Sequence, residues 1–263
     1  MTAEPQALDV SPAPSVGASE KTLRVLEAAI ANHRFTDIVD DTGLAKATVH
    51  RILATLVESE FITGDSERGY HPGARFLAIA GRAISRLDIS SIAEPIVDAL
   101  VRDVDCTIHV GALNGFEMVY VIRRDSSKPY RMASRVGLSI PLHCTGMGKA
   151  VMADWSPEQV DRMVAEVGLP ARTEQTITDP ARLHEELAAI RARGYSMDLG
   201  ENENGTVCVS APIRDHFGRT TYGLSISSIA LEHPGESISG FAPQAIAAAD
   251  AISRALGAPE PRR

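Results

Sequence analysis

Cysteine is scarce in this chain of 263 residues, which contains only Cys106, Cys144 and Cys208. The odd number, the wide spacing and the lack of a C-x-x-C pair exclude a disulfide framework and a zinc ribbon. A reducing cytoplasm is the compartment that fits this cysteine content best.

Long hydrophobic runs are missing as well. No stretch of about 18 apolar residues occurs, so no membrane-spanning helix is expected. Residues 1–18 are rich in Pro, Ala and Ser and have neither a basic start nor an apolar core, so we interpret them as a disordered tail rather than a signal peptide. Hydrophobic residues still make up 44% of the chain, enough for a sizeable core, which excludes global disorder.

Positive charge is in deficit overall. With 26 Lys and Arg against 34 Asp and Glu, the formal net charge is −8, which argues against general affinity for nucleic acid. The exception is the segment 45–57, which contains Lys46, His50 and Arg51 but no acidic residue. This basic strip on an acidic protein is a candidate DNA-binding surface.

The N-terminal part has the element order of a winged helix-turn-helix. Apolar periodicity and turn signals predict helices at residues 20–31, 36–41 and 45–58 and short strands at 61–63 and 70–71. Thr36 is a predicted N-cap, and Gly43 is predicted to adopt a positive φ before the third helix. That third helix has an apolar stripe formed by Val49, Ile52, Leu53 and Leu56. We assign residues 19–73 to this domain.

The rest of the chain is predicted to be α+β, with an antiparallel sheet and flanking helices. A helix over residues 74–92 is expected to leave the small domain, with a break near Pro95. Asn114-Gly115 predicts a hairpin, and Ser156 with Gln159 predicts a capping box. The other predicted elements are strands at 107–113, 118–122, 130–134, 207–213 and 221–226 and helices at 94–104, 149–153, 180–194 and 242–256.

Three motifs, in this order, resemble those of the IclR family of bacterial transcription regulators. They are the stretch from Thr36 to Leu53, the segment His143-Cys144-Thr145-Gly146-Met147-Gly148-Lys149-Ala150, and the pair Arg193–Ser196 and Asn204–Pro212. The resemblance implies a winged helix-turn-helix, a linker helix at 74–93, a GAF-like effector-binding and oligomerisation domain at 94–258, and a tail at 259–263. It also implies assembly into homodimers or homotetramers that are dimers of dimers.

The candidate DNA contacts are polar residues of the helix-turn-helix and the wing: Thr36, Lys46, Thr48, His50, Arg51 and Arg68. Arginine can bond guanine through two hydrogen bonds, whereas lysine and threonine more often hold phosphates. Two alternatives stay open at this point. The basic strip can be an ordinary solvated helix face, or the winged helix can bind protein instead of DNA.

The resemblance implies effector contacts at Gly146, Met147, Asp198, Cys208, Ser225 and Ser227. Residues 145–148 begin a predicted helix, where free N–H groups and the helix dipole favour an anion, and the two glycines are expected to let a ligand approach the backbone. The segment is not a P-loop, because Lys149 is followed by Ala150. Met132 and Ile140 are expected to supply an apolar wall, whereas Thr206 argues against a purely hydrophobic effector.

Simpler roles stay open for these residues: a core position for Cys208, solvent exposure for Ser225 and Ser227, and a turn cap for Asp198. His109 is expected to be a hydrogen-bonded strand histidine without further function. A metal site at His143, Cys144 and Cys208 is one chemical alternative. A Cys–His hydrolase built on either of those cysteines is another.

We therefore expect a cytoplasmic, ligand-responsive DNA-binding regulator, and not an enzyme. Its expected partners are double-stranded operator DNA, a small hydroxy acid or sugar acid, and further copies of the chain; no cofactor, metal or membrane is expected. Repression of a catabolic operon is favoured, because repression needs only promoter occlusion. The alternative is a small-molecule-binding enzyme or a protein-interaction module whose winged helix does not act on DNA.

Overall fold

The computed structural model describes residues 17–84 and 88–259, in two compact units divided between Leu87 and Asp88. The first unit contains α1 (Ala18–Ala31), α2 (Phe35–Thr42), α3 (Lys46–Glu58), β1 (Ile62–Asp65), β2 (Gly69–Pro72) and α4 (Ala74–Ile84). β1 and β2 pair antiparallel to form the wing, so the predicted winged helix-turn-helix is confirmed. Most of the predicted tails, residues 1–16 and 260–263, lie outside the described residues.

The apolar stripe of α3 packs as its periodicity predicts. Val49, Ile52, Leu53 and Leu56 are all buried in the core of this unit. Gly43 ends α2 with φ at +63°, as expected. The predicted N-cap role of Thr36 is wrong: α2 begins one residue earlier, after Arg34, and the Thr36 hydroxyl donates to the Asp37 carboxylate instead.

The predicted continuous helix over residues 74–92 is also wrong. α4 ends at Ile84, and Asp88 has an extended backbone, with φ at −113° and ψ at 111°. Its side chain accepts a hydrogen bond from Ser90 N–H and so caps a new helix, α5 (Ile89–Val104). An N-cap carboxylate of this kind starts a helix rather than continuing one, because it satisfies a first-turn N–H.

The expected helix break near Pro95 does not occur, since Pro95 lies inside α5. A proline there leaves out one backbone hydrogen bond. Ala93 and Val97, which flank it, are fully buried against the core of the second unit. Apolar packing of this helix outweighs the local preference of proline for a break.

The second unit is built on a six-stranded antiparallel sheet in the order β5-β4-β3-β8-β7-β6. Its strands are β3 (Thr107–Asn114), β4 (Glu117–Arg124), β5 (Ser139–Pro141), β6 (Ser196–Leu199), β7 (Thr206–Arg214) and β8 (Thr220–Ile229). Its further helices are α6 (Gly146–Met152), α7 (Pro157–Val167), α8 (Pro180–Arg193) and α9 (Ala242–Ala255), with a 3₁₀ turn at Gly235–Phe241. The α+β prediction and the Ser156–Gln159 capping box are confirmed.

The sheet has two different faces. One packs on α5 and α9, through residues such as Val97, Ile226 and Ile252. The other faces α6, α7 and α8, whose apolar side chains form a second cluster with Met118 of β4. Because strand residues alternate between faces, Ser225 and Ser227 point away from the first core, on the side of α6.

Three local predictions need correction in this unit. Residues 130–134 form no strand, because Tyr130 is held by side-chain bonds to Ser228 and Glu232 instead of a ladder. The strand beside β4 is β5, which sequence reasoning missed. α6 begins at Gly146 rather than Lys149. No helix within the described residues is long and apolar enough to cross a membrane.

Candidate effector cavity and DNA-binding surface

A cavity of about 380 Å³ lies on the α6 side of the sheet. Its walls include the start of α6 and part of the β4–β5 segment, residues 125–138. All seven predicted effector contacts line it: Met132, Gly146, Met147, Asp198, Cys208, Ser225 and Ser227. Ile140 and Thr206 line it too. Since these residues are far apart in the sequence, the fold brings them together.

Strand register explains why polar side chains collect on the cavity floor. Asp198 on β6 pairs with Cys208 on β7, which pairs with Ser227 on β8. In the next row, Ser225 on β8 pairs with His109 on β3. Cross-strand partners share a face, so both rows face the cavity. The solvent-exposed alternative is therefore wrong: Ser225 is 3% and Ser227 2% exposed.

The start of α6 is capped by the Thr145 side chain. Thr145 Oγ1 accepts a hydrogen bond from Gly148 N–H at 3.2 Å and donates one to the Pro141 carbonyl at 2.6 Å. Within the described residues, the N–H groups of Gly146 and Met147 have no acceptor. These first-turn donors are available to a ligand in the cavity.

The two glycines of this turn also pack closely against the protein itself. A Cβ on Gly146 would lie 2.4 Å from Ser210 Oγ, and a Cβ on Gly148 would lie 2.3 Å from the Leu142 carbonyl oxygen. Real Cβ atoms do not approach that closely. Close packing against the Leu142 backbone therefore requires glycine at position 148, whereas Gly146 meets a serine hydroxyl that can rotate and also lines the cavity.

Gly148→Ala is expected to lower the free energy of unfolding by about 3 kcal/mol, because the clash is with backbone that cannot move aside. Gly240→Ala is the matched control, since a Cβ there would meet nothing within 4 Å. Urea unfolding of both variants measures the difference. Equal midpoints for the two would contradict the packing role assigned to Gly148.

Asp198 is almost fully buried, and its charge is poorly compensated. Its Oδ1 accepts hydrogen bonds from the N–H groups of Glu201, at 2.7 Å, and Asn202, at 3.4 Å. Burial and the negative charge of Glu201 together raise the pKa of Asp198 to about 7, although Lys149 and the two hydrogen bonds oppose the increase. The turn-cap role is therefore present, but it accompanies a position on the cavity wall.

Lys149 forms a buried ion pair behind this wall. Its ammonium, 1% exposed, bonds the Glu201 carboxylate and lies 3.9 Å from Glu186 Oε1. Burial raises the pKa of Glu201, and Lys149 opposes that increase. Arg193 pairs with Glu186 at 2.8 Å, so Glu201 and Asp198 share the Lys149 ammonium as their nearby cation.

His109 is buried and fully hydrogen-bonded, as expected from the sequence. Its Nδ1 lies 3.2 Å from Ser227 Oγ and its Nε2 lies 2.7 Å from Ser134 Oγ. Burial, followed by the charge of Arg123, lowers the pKa of His109 to about 3, so the ring is neutral at physiological pH. Ser227 Oγ also lies 3.0 Å from Ser225 Oγ. Sequence reasoning did not place His109 in the site.

The cysteine chemistry raised as an alternative is not supported. His143 bonds the Pro170 carbonyl, Cys144 lies beside Asn202, and Cys208 donates to Ser227, so the three do not converge. No cluster of three His, Cys, Asp or Glu side chains suited to a metal occurs in the part of the chain that the structure describes. Burial raises the pKa of Cys144 and Cys208 to about 12, which suppresses the nucleophilic thiolate.

The cavity lining also includes residues that sequence reasoning missed. Arg172 is exposed and supplies the one cation among the lining residues, and Glu203 is a second lining carboxylate besides Asp198. The Arg172 Nε donates to the Asn202 carbonyl at 3.2 Å. No motif marks Arg172, because it reaches the cavity from the irregular segment between α7 and α8.

On the first unit, α3 presents Lys46, His50 and Arg51 on one exposed face. Ala47 lies on the same face, and its small side chain allows close approach of a helix to a groove. Thr48 is half-buried at the edge of this face, less accessible than expected. The candidate α3 surface is therefore formed by residues 46, 47, 50 and 51.

The wing tip exposes Arg68, whose side chain is 86% accessible. Asp65 Oδ1 accepts hydrogen bonds from the N–H groups of Arg68 and Glu67, both at 2.9 Å. These bonds hold the pKa of Asp65 below its usual value. They shape a tight turn that projects Arg68 beyond β1 and β2. Thr36 is exposed on α2.

A winged helix-turn-helix joined in one chain to an α+β domain is the domain arrangement of a class of DNA-binding transcription regulators. Two family models match: "IclR helix-turn-helix domain" over residues 20–66 and "Bacterial transcriptional regulator IclR C-terminal" over residues 81–254. The chain belongs to the IclR family of bacterial DNA-binding transcription regulators, whose members are regulators and not enzymes.

Individual relatives agree with this assignment. The uncharacterized HTH-type transcriptional regulator RhmR of Escherichia coli (strain K12) is 32% identical over 84% of this chain and 85% of its own length. The crystal structure of the Agobacterium tumefaciens repressor BlcR matches with a TM-score of 0.72 and 27% identity, covering 91% of this chain and 96% of that one. A putative ICLR transcriptional regulator from Silicibacter sp. TM1040 matches with a TM-score of 0.82 and 26% identity, covering 93% and 98%.

Proposed function

We propose that this regulator represses a catabolic operon and that a small hydroxy acid or sugar acid, bound in the cavity, changes its affinity for operator DNA. The observation that carries the proposal is the convergence of all seven predicted effector contacts on one cavity. The repressor role is supported by the likeness to a structure described as that of the repressor BlcR. Since its DNA lies in the bacterial cytoplasm, the protein would act there.

The chemistry of the cavity supports an organic acid. Its volume lies at the low end of the ~300–1,000 Å³ typical of small-molecule sites, which favours a small ligand. Arg172 and the N–H groups of Gly146 and Met147 would receive the carboxylate. In its ionised form Asp198 would repel a carboxylate but accept hydrogen bonds from hydroxyls, so the hydroxyls would lie nearest to it.

Assembly into dimers or tetramers is supported by α4. Leu77 and Ile79 on this helix are exposed, at 57% and 42%, although both are large and apolar. Because residues two apart point to different sides of a helix, α4 exposes apolar side chains on more than one side, and exposed apolar surface of this kind is typical of an interaction surface. Packing of α4 against a second copy would pair two DNA-binding units, and an effector would alter their spacing. Such coupling is typically ~1–3 kcal/mol.

Arg51→Ala is expected to weaken operator binding by about 1–3 kcal/mol, roughly 5- to 150-fold, because Arg51 is an exposed arginine of the α3 surface and can form two hydrogen bonds to guanine. Arg162→Ala, an exposed arginine of α7, is the control and should leave operator affinity unchanged. Fluorescence anisotropy with a duplex from the region upstream of its own gene measures both.

The affinity of the unsubstituted protein should also fall steeply as salt rises, since phosphate contacts release counterions. A salt-independent affinity, or equal affinities for Arg51→Ala and the unsubstituted protein, would count against DNA recognition by α3.

A further inference from the structure

One end of the cavity is formed by a chain of neutral hydrogen-bonding groups, which we call the His109 relay. It consists of Ser225, Ser227, His109 and Ser134, linked in that order by contacts of 3.0, 3.2 and 2.7 Å. All four residues line the cavity. Ser134 is fixed in place from outside the relay, since its carbonyl accepts a hydrogen bond from the Arg123 guanidinium.

The hydrogen-bonding capacity of Ser227 is fully used inside the relay. Its hydroxyl has three partners: the Cys208 thiol, which donates at 3.2 Å, the Ser225 hydroxyl and His109 Nδ1. A serine hydroxyl can donate once and accept twice. Because the Cys208 thiol occupies one of the two acceptor positions, Ser227 donates to one of its two remaining partners and accepts from the other.

The tautomer of His109 then fixes the polarity of both relay ends. With the proton on Nε2, Ser227 donates to Nδ1, Ser225 donates to Ser227, and Nε2–H donates to Ser134. Ser225 then offers only lone pairs to the cavity, and Ser134 keeps a free hydrogen. With the proton on Nδ1 the direction reverses, so Ser225 keeps the free hydrogen and Ser134 donates to Nε2.

In either tautomer the two ends share one free hydroxyl hydrogen. A carboxylate that contacts both Ser225 and Ser134 would need a hydrogen-bond donor from each, and only one of the two hydroxyls can donate. A hydroxyl group supplies the missing hydrogen and can meet either tautomer. Only an imidazolium would offer two free hydrogens, and burial keeps the His109 ring neutral by lowering its pKa to about 3.

We propose that His109 is a positioning residue that makes this end of the cavity select a ligand hydroxyl and reject a carboxylate, by setting opposite polarities at Ser225 and Ser134. The proposal rests on the proposed function, in which the cavity binds an organic acid, and it fixes the orientation of that acid. The hydroxyls lie on the His109 relay, and the carboxylate lies at Arg172.

The test compares gluconate with hexanoate, two six-carbon acids of which only the first bears hydroxyls, by isothermal titration calorimetry. The unsubstituted protein should prefer gluconate by about tenfold or more, the effect of one well-made hydrogen bond. His109→Phe keeps the ring but removes the relay, so the preference should fall toward one. Ser134→Ala removes one relay end at little risk to folding and should reduce the same ratio. His233→Phe, outside the cavity lining, should leave it unchanged.

A second readout separates this role from a merely structural one. The ¹⁵N shifts of the His109 ring report its tautomer and its hydrogen bonds, and bound gluconate should change these shifts while hexanoate should not. Ring shifts that gluconate leaves unchanged, or a gluconate preference retained by both His109→Phe and Ser134→Ala, would overturn the proposal. Binding of hexanoate as tight as gluconate by the unsubstituted protein would also overturn it, while leaving acid-responsive regulation intact.

A failure of the proposed function can also be distinguished from a failure of the relay proposal. If gluconate binds with the expected His109 dependence but leaves operator affinity unchanged, the relay proposal holds and the proposed function fails. If the unsubstituted protein binds neither acid, the organic-acid class is wrong and the relay proposal falls with it.

Discussion

Lys149→Met is expected to lower the free energy of unfolding by about 3–5 kcal/mol, because it leaves the buried Glu201 carboxylate without its counter-ion. The methionine retains most of the apolar stem of lysine, so lost packing contributes little. Among the described residues, Glu201 Oε2 is buried and has no hydrogen-bond partner, so that oxygen offers no compensation for the lost ammonium. Urea unfolding monitored by circular dichroism measures the loss.

The double variant Lys149→Met with Glu201→Gln separates charge from packing. Removing both charges should recover most of the stability, since replacing a buried pair by neutral groups is often nearly neutral. Arg131→Met breaks an ion pair with Asp125 in which the arginine side chain is 58% exposed. This substitution should lower the free energy of unfolding by less than about 1 kcal/mol. A loss at Lys149 as small as that at Arg131 would contradict a buried, charged pair.

Asp198→Asn is expected to stabilise the protein above pH 7, by an amount on the order of 2–4 kcal/mol, since each pKa unit corresponds to ~1.4 kcal/mol. Burial raises the pKa of Asp198 to about 7 in the folded state, from an ordinary value of 3.8. Between these values the folded protein binds a proton that the unfolded chain does not. The free energy of unfolding therefore falls as pH rises through this window, and the Asp198 contribution is flat above it.

Asparagine stays neutral and keeps an oxygen for the N–H groups of Glu201 and Asn202, so the slope should be reduced. It should not vanish, because burial also raises the pKa of Glu201. Urea titrations at pH 5, 6, 7 and 8 measure this slope.

Asp215→Asn is a control for which the opposite effect is expected. Burial alone would raise the pKa of Asp215, but hydrogen bonds from the N–H groups of Arg219 and Phe217 outweigh burial, so the pKa of Asp215 is lowered. That variant should lose stability at neutral pH, and equal pH slopes for Asp198→Asn and the unsubstituted protein would contradict the assigned pKa.

Much of the fold follows from the sequence, because local signals agree with the tertiary packing there. The α3 stripe at Val49, Ile52, Leu53 and Leu56 is buried as its spacing predicts, and the alternation of β8 puts Ser225 and Ser227 on one face. The hairpin at Asn114-Gly115 is present, with its turn one residue later, since Asn114 pairs with Glu117.

The errors arise where long-range contacts override local preference. Pro95 is held inside α5 by burial of its neighbours, and Tyr130 is drawn from a strand by Ser228 and Glu232, about a hundred residues away. Gly146 and Gly148 were correctly placed at a helix start, but only the structure shows that α6 packs too closely for a Cβ.

The candidate site likewise contains residues that the sequence predicts and residues that it does not. The seven predicted effector contacts line one cavity, and six of them, all but Met132, come from the resemblance, which carries three-dimensional information that periodicity does not. Arg172 escaped notice because a single arginine in an irregular segment has no pattern. The link from His109 to Ser134 also has no local signal, since it joins β3 to the β4–β5 segment through side chains alone. Their roles in binding remain predictions.

The central claim is that an organic acid in the cavity changes operator affinity. The most direct test is fluorescence anisotropy with a labelled duplex from the region upstream of its own gene, titrated with the full chain with and without gluconate. We expect binding in its absence and a dissociation constant raised by gluconate, roughly 5- to 150-fold. In Arg172→Ala, which loses the carboxylate anchor, the same gluconate concentration should have little effect. No operator binding, or an affinity that gluconate leaves unchanged although calorimetry shows it bound, would contradict the account.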